Sequence, residues 1–249
     1  MTRTKILITG ASAGLGAGMA REFAAKGRDL ALCARRLDAL EALRTELTAA
    51  HPNITVAVRA LDVDEHAAVP RVFAELQDDL GGLDRVIVNA GIGKGARIGG
   101  GRADANIATA TTNFVSALAQ AEAAMEIFRA QNAGHLVLVS SMSAVRGLPG
   151  KKAAYSASKA GLAALGEALA VELAKSPIAV TTLLPGFIAT DMAAKAGDAK
   201  LVAPLDKGVG AMVRAIEKEQ VRACVPEWPW RLFDVLLPRL PGSVIARMG

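Results

Sequence analysis

The chain is poor in the residues that staple or metallate proteins. Its two cysteines, Cys33 and Cys224, lie far apart, each in an apolar run of strand character. They read as inert buried thiols, and neither a disulfide nor a metal site is expected. Long apolar runs are also lacking. None approaches the ~20 residues that a membrane span needs. Thr9-Gly10 interrupts the first apolar run too early for a secretory signal. A cytoplasmic protein is therefore the default expectation. Charge of one sign is not gathered in one long run; the densest cationic pairs are Arg35-Arg36 and Lys151-Lys152. The net charge is +5, but lysines and arginines are scattered, whereas a nucleic-acid binder gathers them on one face or segment. No nucleic-acid partner is expected. Internal repeats and low-complexity linkers are absent. Tyrosine occurs once, as Tyr155.

What is present is apolar. Hydrophobic residues make up 52% of the 249 and charged residues 21%, which supports a sizeable core and excludes disorder. Short β-rich runs alternate with longer helical patterns. The expected strands are Lys5-Thr9, Asp29-Cys33, Thr55-Ala60, Arg85-Val88, His135-Ser140, Ala179-Leu184 and Val221-Val225. They are nearly continuous hydrophobic runs, as in parallel strands buried on both faces. Between them the spacing predicts helices over Gly14-Lys26, Leu37-Ala50, Glu65-Leu80, Ala105-Gln131 and Ala154-Lys175. Such alternation implies an α/β fold, a single doubly wound Rossmann domain with a seven-stranded parallel sheet and helices on both faces. The Gly-rich stretch Gly91-Gly101 reads as a loop. Residues 1–225 are expected to form the dinucleotide-binding catalytic domain, and 226–249 an extension of it.

The first strand runs into Thr9-Gly10-Ala11-Ser12-Ala13-Gly14-Leu15-Gly16, and a helix follows. Gly10 permits a tight turn, Gly14 lets backbone approach a pyrophosphate, and Gly16 allows close helix-strand packing. The helix N-terminus supplies oriented N–H groups for the anion. Gly-rich turns also merely close βα units, so the position at the first strand-helix junction carries the argument. The second strand ends in Ala34-Arg35-Arg36. An NAD site usually has an acid there for the ribose 2′-OH. Here a guanidinium could fork onto a 2′-phosphate instead, which favours NADP. The two arginines could also simply open a solvated helix. Asp62-Val63 follows the third strand. Asp62 could accept from the adenine amino group or cap the next helix.

Tyr155 and Lys159 stand four residues apart, on one face of a helix. A free phenol, with pKa about 10, is a poor acid or base at neutral pH, and a nearby cation lowers that value. The lysine could also hydrogen-bond a nicotinamide ribose. Ser140-Ser141 close the fifth strand, at the sheet edge where α/β folds place ligands. A hydroxyl there could donate to a substrate carbonyl, or only end the strand.

In this order, Thr9-Gly10-x-x-x-Gly14-x-Gly16, Asp62, Asn89-Ala90-Gly91, Asn113, Ser141, Tyr155-x-x-x-Lys159 and Pro185-Gly186 resemble the short-chain dehydrogenase/reductase family over Lys5 to Val225. The resemblance implies hydride exchange between NADP(H) and a carbonyl or secondary alcohol. Tyr155 would handle the proton, Ser141 would orient the substrate oxygen, and Lys159 would bind ribose and tune Tyr155. Asn113 would hold a water in a proton relay. Asn89, Ala90 and Gly91 would steady the sheet centre and the adenosine side. Pro185, Gly186, Ile188 and Thr190 would border the nicotinamide. Arg35, helped by Arg36, would take the 2′-phosphate, since Ala13 lacks the basic side chain many NADP-binding members place there. The loop from Ser141 to Tyr155 is one residue longer than the common spacing, which leaves Ser140 and Ser143 as competitors for the serine role. Members form dimers or tetramers through the helix that carries Tyr155, where Ala157, Gly161, Ala164 and Ala168 offer a small face.

The usual substrate loop of the family, here Ala189-Pro204, has no aromatic residue and names no substrate. Residues 226–249 hold both tryptophans, Trp228 and Trp230, with Arg231, Arg239 and Arg247 among apolar neighbours. This segment could dip into a membrane interface, gate a lipophilic pocket, pack on a partner or dock on its own domain. Two other functions stay open: a membrane-peripheral reductase of lipophilic or acyl substrates, and a dinucleotide-binding protein without turnover.

Overall fold

The computed structural model describes residues 3–190 and 201–246. Seven strands form one parallel sheet in the order β3-β2-β1-β4-β5-β6-β7. They are β1 (Lys5–Thr9), β2 (Asp29–Ala34), β3 (Val56–Ala60), β4 (Arg85–Val88), β5 (Gly134–Val139), β6 (Ile178–Pro185) and β7 (Arg222–Val225). The expected doubly wound α/β fold is thus observed, with strand ends shifted by a residue or so.

Alternate strand residues feed two cores. Ile6, Ile8, Leu30, Leu32 and Val137 face α1 (Gly14–Ala24), α2 (Leu37–Ala50) and α7 (Leu205–Glu217). Leu7, Ala31, Val86, Leu136 and Val180 face α3 (Ala68–Leu80), α5 (Ser116–Gln131) and α6 (Ala153–Glu172). Double burial explains why the strands read as unbroken hydrophobic runs. Helix ends follow local chemistry. α3 stops at Gly81 (φ 64°) and α5 at Asn132 (φ 48°), both left-handed caps.

The long helix expected over Ala105-Gln131 is divided. α4 (Ala103–Ala110) leads into a π-helical turn, Thr111–Val115, before α5. Side chains hold the widened turn. Thr112 and Ser116 both donate to the Asp64 carboxylate, at 2.8 and 2.7 Å. Asn113 donates to the Ile92 carbonyl at 2.9 Å and accepts from the Ile92 N–H at 2.8 Å. Such π-turns recur at functional sites.

After β7 the chain folds back over the C-terminal edge of the sheet. α8 (Glu227–Leu236) and α9 (Gly242–Ala246) bury Trp230, Leu237 and Ile245 against Met142 and Leu184. Trp230 packs between Phe187 and Phe233, with ring centroids 5.6 Å away in each case. Trp228, Leu232, Val235 and Leu236 stay exposed. No described helix is long and apolar enough to cross a membrane. On α6, Ala157, Ala164 and Ala168 are exposed, but Gly161 is not free for a partner. A Cβ there would lie 3.1 Å from the Phe114 ring of the same chain.

Candidate active site

The C-terminal ends of the strands gather the motifs. Gly10 (φ 64°) follows β1 so closely that a Cβ would sit 2.9 Å from the Ala90 Cα. A Cβ on Gly16 would collide with the Gly10 carbonyl and come within 2.8 Å of Asn89 Nδ2. Only glycine lets α1 start this near the sheet. Asn89 donates to the Thr9 carbonyl at 2.9 Å, while the Thr9 hydroxyl accepts from the N–H groups of Asn89 and Ala90 at 3.0 and 3.1 Å. These bonds lock the ends of β1 and β4 together. The N-cap of α1 is Ala13, without a side-chain acceptor. The first turn is therefore left to an external anion or water. Gly14 (φ 55°) faces the Thr190 methyl across a gap; a Cβ there would lie 3.6 Å from it. Ser12 lies in the same loop, half-buried, whereas Leu15 packs toward the core.

At the end of β2 the two arginines differ. Arg36 donates to Ser12 Oγ at 3.1 Å. Arg35 has no hydrogen-bonding or ionic partner among the described residues, and with Asp62, Glu65 and Arg71 it lines a cleft of about 350 Å³. Asp62 Oδ1 accepts from the Asp64 N–H at 3.2 Å, so one oxygen organises its own turn. Val63 is buried in the core and does not line the cleft. An uncapped helix N-terminus, two glycine close approaches and a free guanidinium fit a dinucleotide with a phosphorylated ribose.

The second half of the site lies across the sheet. The strand-end serines separate by the alternation of a strand. Ser140 is buried and donates to the Lys159 carbonyl at 2.7 Å. Ser141 points the other way, toward the Tyr155 phenol. Ser143 contributes its N–H to Ser141 Oγ at 3.1 Å. Lys159 is 5% exposed and donates to the Val139 carbonyl at 2.9 Å. Gly91 lies between Asn113 and Lys159. A Cβ there would be 3.1 Å from Asn113 Oδ1 and 3.5 Å from Lys159 Nζ. The four polar side chains thus converge at one edge.

Burial sets their electrostatics. It pushes the Tyr155 phenol up, with the Ser141 hydrogen bond opposing. It pushes the Lys159 ammonium down to about 8. The expected lowering of Tyr155 by Lys159 does not appear: burial, opposed only by Ser141, sets the direction. Beyond β6, Pro185 and Ile188 are buried, and the Gly186 N–H bonds the Val225 carbonyl at 2.9 Å. Gly186 is backed directly by the Trp230 indole. Ala189 and Ala203 pair across the neck of the loop, at 2.9 Å. Of the expected substrate loop, 191–200 lie outside the described residues. The sequence reading missed Asp64, Thr112 and Ser116, which fix the turn carrying Asn113. It also missed Trp230 as a wall of the site.

A profile of the short chain dehydrogenase family matches residues 4–201. The chain belongs to the short-chain dehydrogenases. It is an oxidoreductase family, and its relatives bear that out. An uncharacterized oxidoreductase of Mycobacterium tuberculosis is 59% identical over 244 residues, 96% of each chain. The human 3-oxoacyl-[acyl-carrier-protein] reductase is 32% identical over 185 residues, 74% of this chain and 76% of its own. Among solved structures, a levodione reductase superposes with a TM-score of 0.81 at 25% identity, covering 90% of this chain and 95% of its own. An alcohol dehydrogenase of the archaeon Thermococcus sibiricus, complexed with 5-hydroxy-NADP, superposes with a TM-score of 0.77 at 25% identity, covering 88% and 93%. The glycine loop after β1 and the cluster of Ser141, Tyr155 and Lys159 share one sheet edge.

Proposed function

We propose that this short-chain dehydrogenase is an NADP(H)-dependent reductase of carbonyl compounds, and in reverse a dehydrogenase of secondary alcohols. The observation that carries the reading is the placement of Ser141 toward the Tyr155 phenol, beside the buried Lys159 and Asn113. When bound, the nicotinamide supplies or accepts the hydride. Ser141 donates to the substrate carbonyl oxygen and fixes its position. Tyr155 gives that oxygen a proton as the carbon is reduced, or removes it in the oxidative direction. The Lys159 ammonium stabilises the phenolate left behind and holds the ribose hydroxyls. Asn113, close to Lys159 across Gly91, would hold the water that returns the proton.

Arg35, unpaired and following Ala34 at the end of β2, supports the preference for NADP. The 5-hydroxy-NADP complex of the Thermococcus enzyme agrees with it. Turnover of a panel of aldehydes, ketones and dicarbonyls, with NADPH and NADH in parallel, tests both parts. The expected result is reduction driven far better by NADPH. Arg35→Ala should weaken NADPH binding by roughly tenfold to a hundredfold, the worth of a charge-assisted contact, and leave NADH nearly unaffected. Tight dinucleotide binding without turnover of any compound would favour a binding protein. Equal affinity for both cofactors would remove the role given to Arg35.

A further inference from the structure

The cation-rich rim of the site has a consequence for the substrate. A cleft of about 410 Å³ opens between the loop that precedes Tyr155 and the C-terminal helix α9. Arg146, Leu148 and Pro149 line one side, and Gly242, Ile245 and Ala246 the other. Its volume lies in the ordinary range of small-molecule sites. The loop wall is anchored at the catalytic helix, because the Leu148 N–H donates to Ser156 Oγ at 3.2 Å, one residue after Tyr155. The floor is anchored at the catalytic serine, because Met142, next to Ser141, packs with Leu148 and Ile245 in one apolar cluster. Leu148 and Met142 thus tie the walls of the cleft to the residues that flank Tyr155 and Ser141.

Arg146 is the one charged residue in that lining. It is half-buried and has no hydrogen-bonding or ionic partner among the described residues. A half-buried guanidinium beside an apolar wall, with no partner in the protein, is free to pair with a bound anion. The neighbouring segments carry the same sign. Residues 91–101 contain Lys94 and Arg97, and residues 141–154 contain Arg146, Lys151 and Lys152; neither segment has an Asp or Glu. The two segments touch, since Gly95 backs onto the Lys151 carbonyl. The dinucleotide phosphates do not account for Arg146, because they would meet α1 and Arg35 at the opposite half of the edge.

We propose that this cleft takes the apolar chain of the substrate and that Arg146 reads an anionic group on it, a carboxylate or a phosphate. The substrate class is then an amphiphilic anion: a carbonyl or alcohol on an aliphatic chain that also carries the charge. This rests on the reductase reading above, and the test separates the two. Reduction with NADPH is measured for a medium-chain oxo-carboxylic acid, its methyl ester and an oxoalkyl phosphate, in the parent, Arg146→Met and Arg146→Lys. Binding is followed separately, without dinucleotide, by quenching of the tryptophan fluorescence with the saturated acid and its ester. The acid or the phosphate should exceed the ester in kcat/KM by roughly tenfold to a hundredfold. Whichever leads identifies the headgroup. Arg146→Met should collapse that ratio through KM, Arg146→Lys should keep most of it, and the fluorescence titrations should move in parallel. Equal handling of acid, phosphate and ester by the parent, or a ratio indifferent to Arg146→Met, overturns the anion site alone. Turnover of none of the three, with anion binding still lost in Arg146→Met, overturns the reductase reading and leaves the anion site standing.

Discussion

Lys159 is the residue that the site holds at the greatest cost. At 5% exposed, with its Nζ donating to a single described carbonyl, its ammonium is driven down to about 8 from an ordinary 10.5 by burial. A base held below its unfolded value destabilises the fold. The penalty is complete below pH 8 and fades as pH rises toward 10.5. Lys159→Met should therefore stabilise the dinucleotide-free protein at neutral pH by about 2 kcal/mol, the desolvation cost less the lost bond to Val139, while activity collapses. Denaturant unfolding of the two proteins at pH 7 checks this; a destabilised variant would contradict it. The placement of Lys159 one turn after Tyr155 on α6 was legible in the sequence, because a four-residue spacing on a helix needs no tertiary information. The direction of the Tyr155 shift was not legible, because it depends on burial. The choice of Ser141 over Ser140 was visible only once strand alternation sent one hydroxyl into α6 and the other toward the phenol.

Among the elements, the sheet was the most legible, since strands covered on both faces are mostly apolar, with the few buried polar residues such as Arg85, His135 and Thr181 held by hydrogen bonds. The break in the helix at Thr111–Val115 was not. It is produced by Asp64, which accepts from Thr112 and Ser116 nearly fifty residues further along the chain. α7 went unmarked although Leu205, Val209, Met212, Val213 and Ile216 have helical spacing; that signal was available. The C-terminal helices were unreadable for another reason. Pro226, Pro229 and Pro238 break the pattern, and their apolar residues find partners only in Met142, Leu184 and Phe187. Trp230 is the anchor of that contact, 7% exposed and flanked by two phenylalanine rings. Trp230→Ala should cost about 3–5 kcal/mol of stability. It should also raise the KM for substrate more than for the dinucleotide, because the indole backs Gly186 and not the α1 loop. A loss below about 1 kcal/mol, within the range of surface changes, would mean that the segment is held elsewhere.

At the scale of the whole molecule the sheet has two different ends. Its C-terminal edge holds the site, and its N-terminal edge holds a buried charge network. Arg85, 1% exposed, donates to His135 Nδ1 at 2.8 Å and to Glu217 at 2.7 Å, while Arg28 reaches Glu217 at 3.2 Å and Arg3 reaches Glu219 at 2.9 Å. Burial first, then Arg85 and Arg3, hold His135 well below 6.5. Since its Nδ1 accepts from Arg85, its Nε2–H donates to the Thr181 hydroxyl at 2.8 Å. A base with a depressed folded value lends stability that is present above 6.5 and is lost as pH falls below it. The melting temperature should accordingly drop as pH falls from neutral, and His135→Gln should flatten that drop; parallel curves for the two proteins would rule the histidine out. On the reading proposed above, hydride and proton are exchanged at the C-terminal edge, and one comparison reaches that claim most directly. Parent and Tyr155→Phe are assayed for NADPH-dependent carbonyl reduction, with circular dichroism and NADPH binding as controls of the fold. The account predicts intact folding and cofactor binding with turnover reduced by about 10²–10⁴-fold, the worth of a positioned proton donor. Turnover at the parental rate in the phenylalanine variant would contradict it.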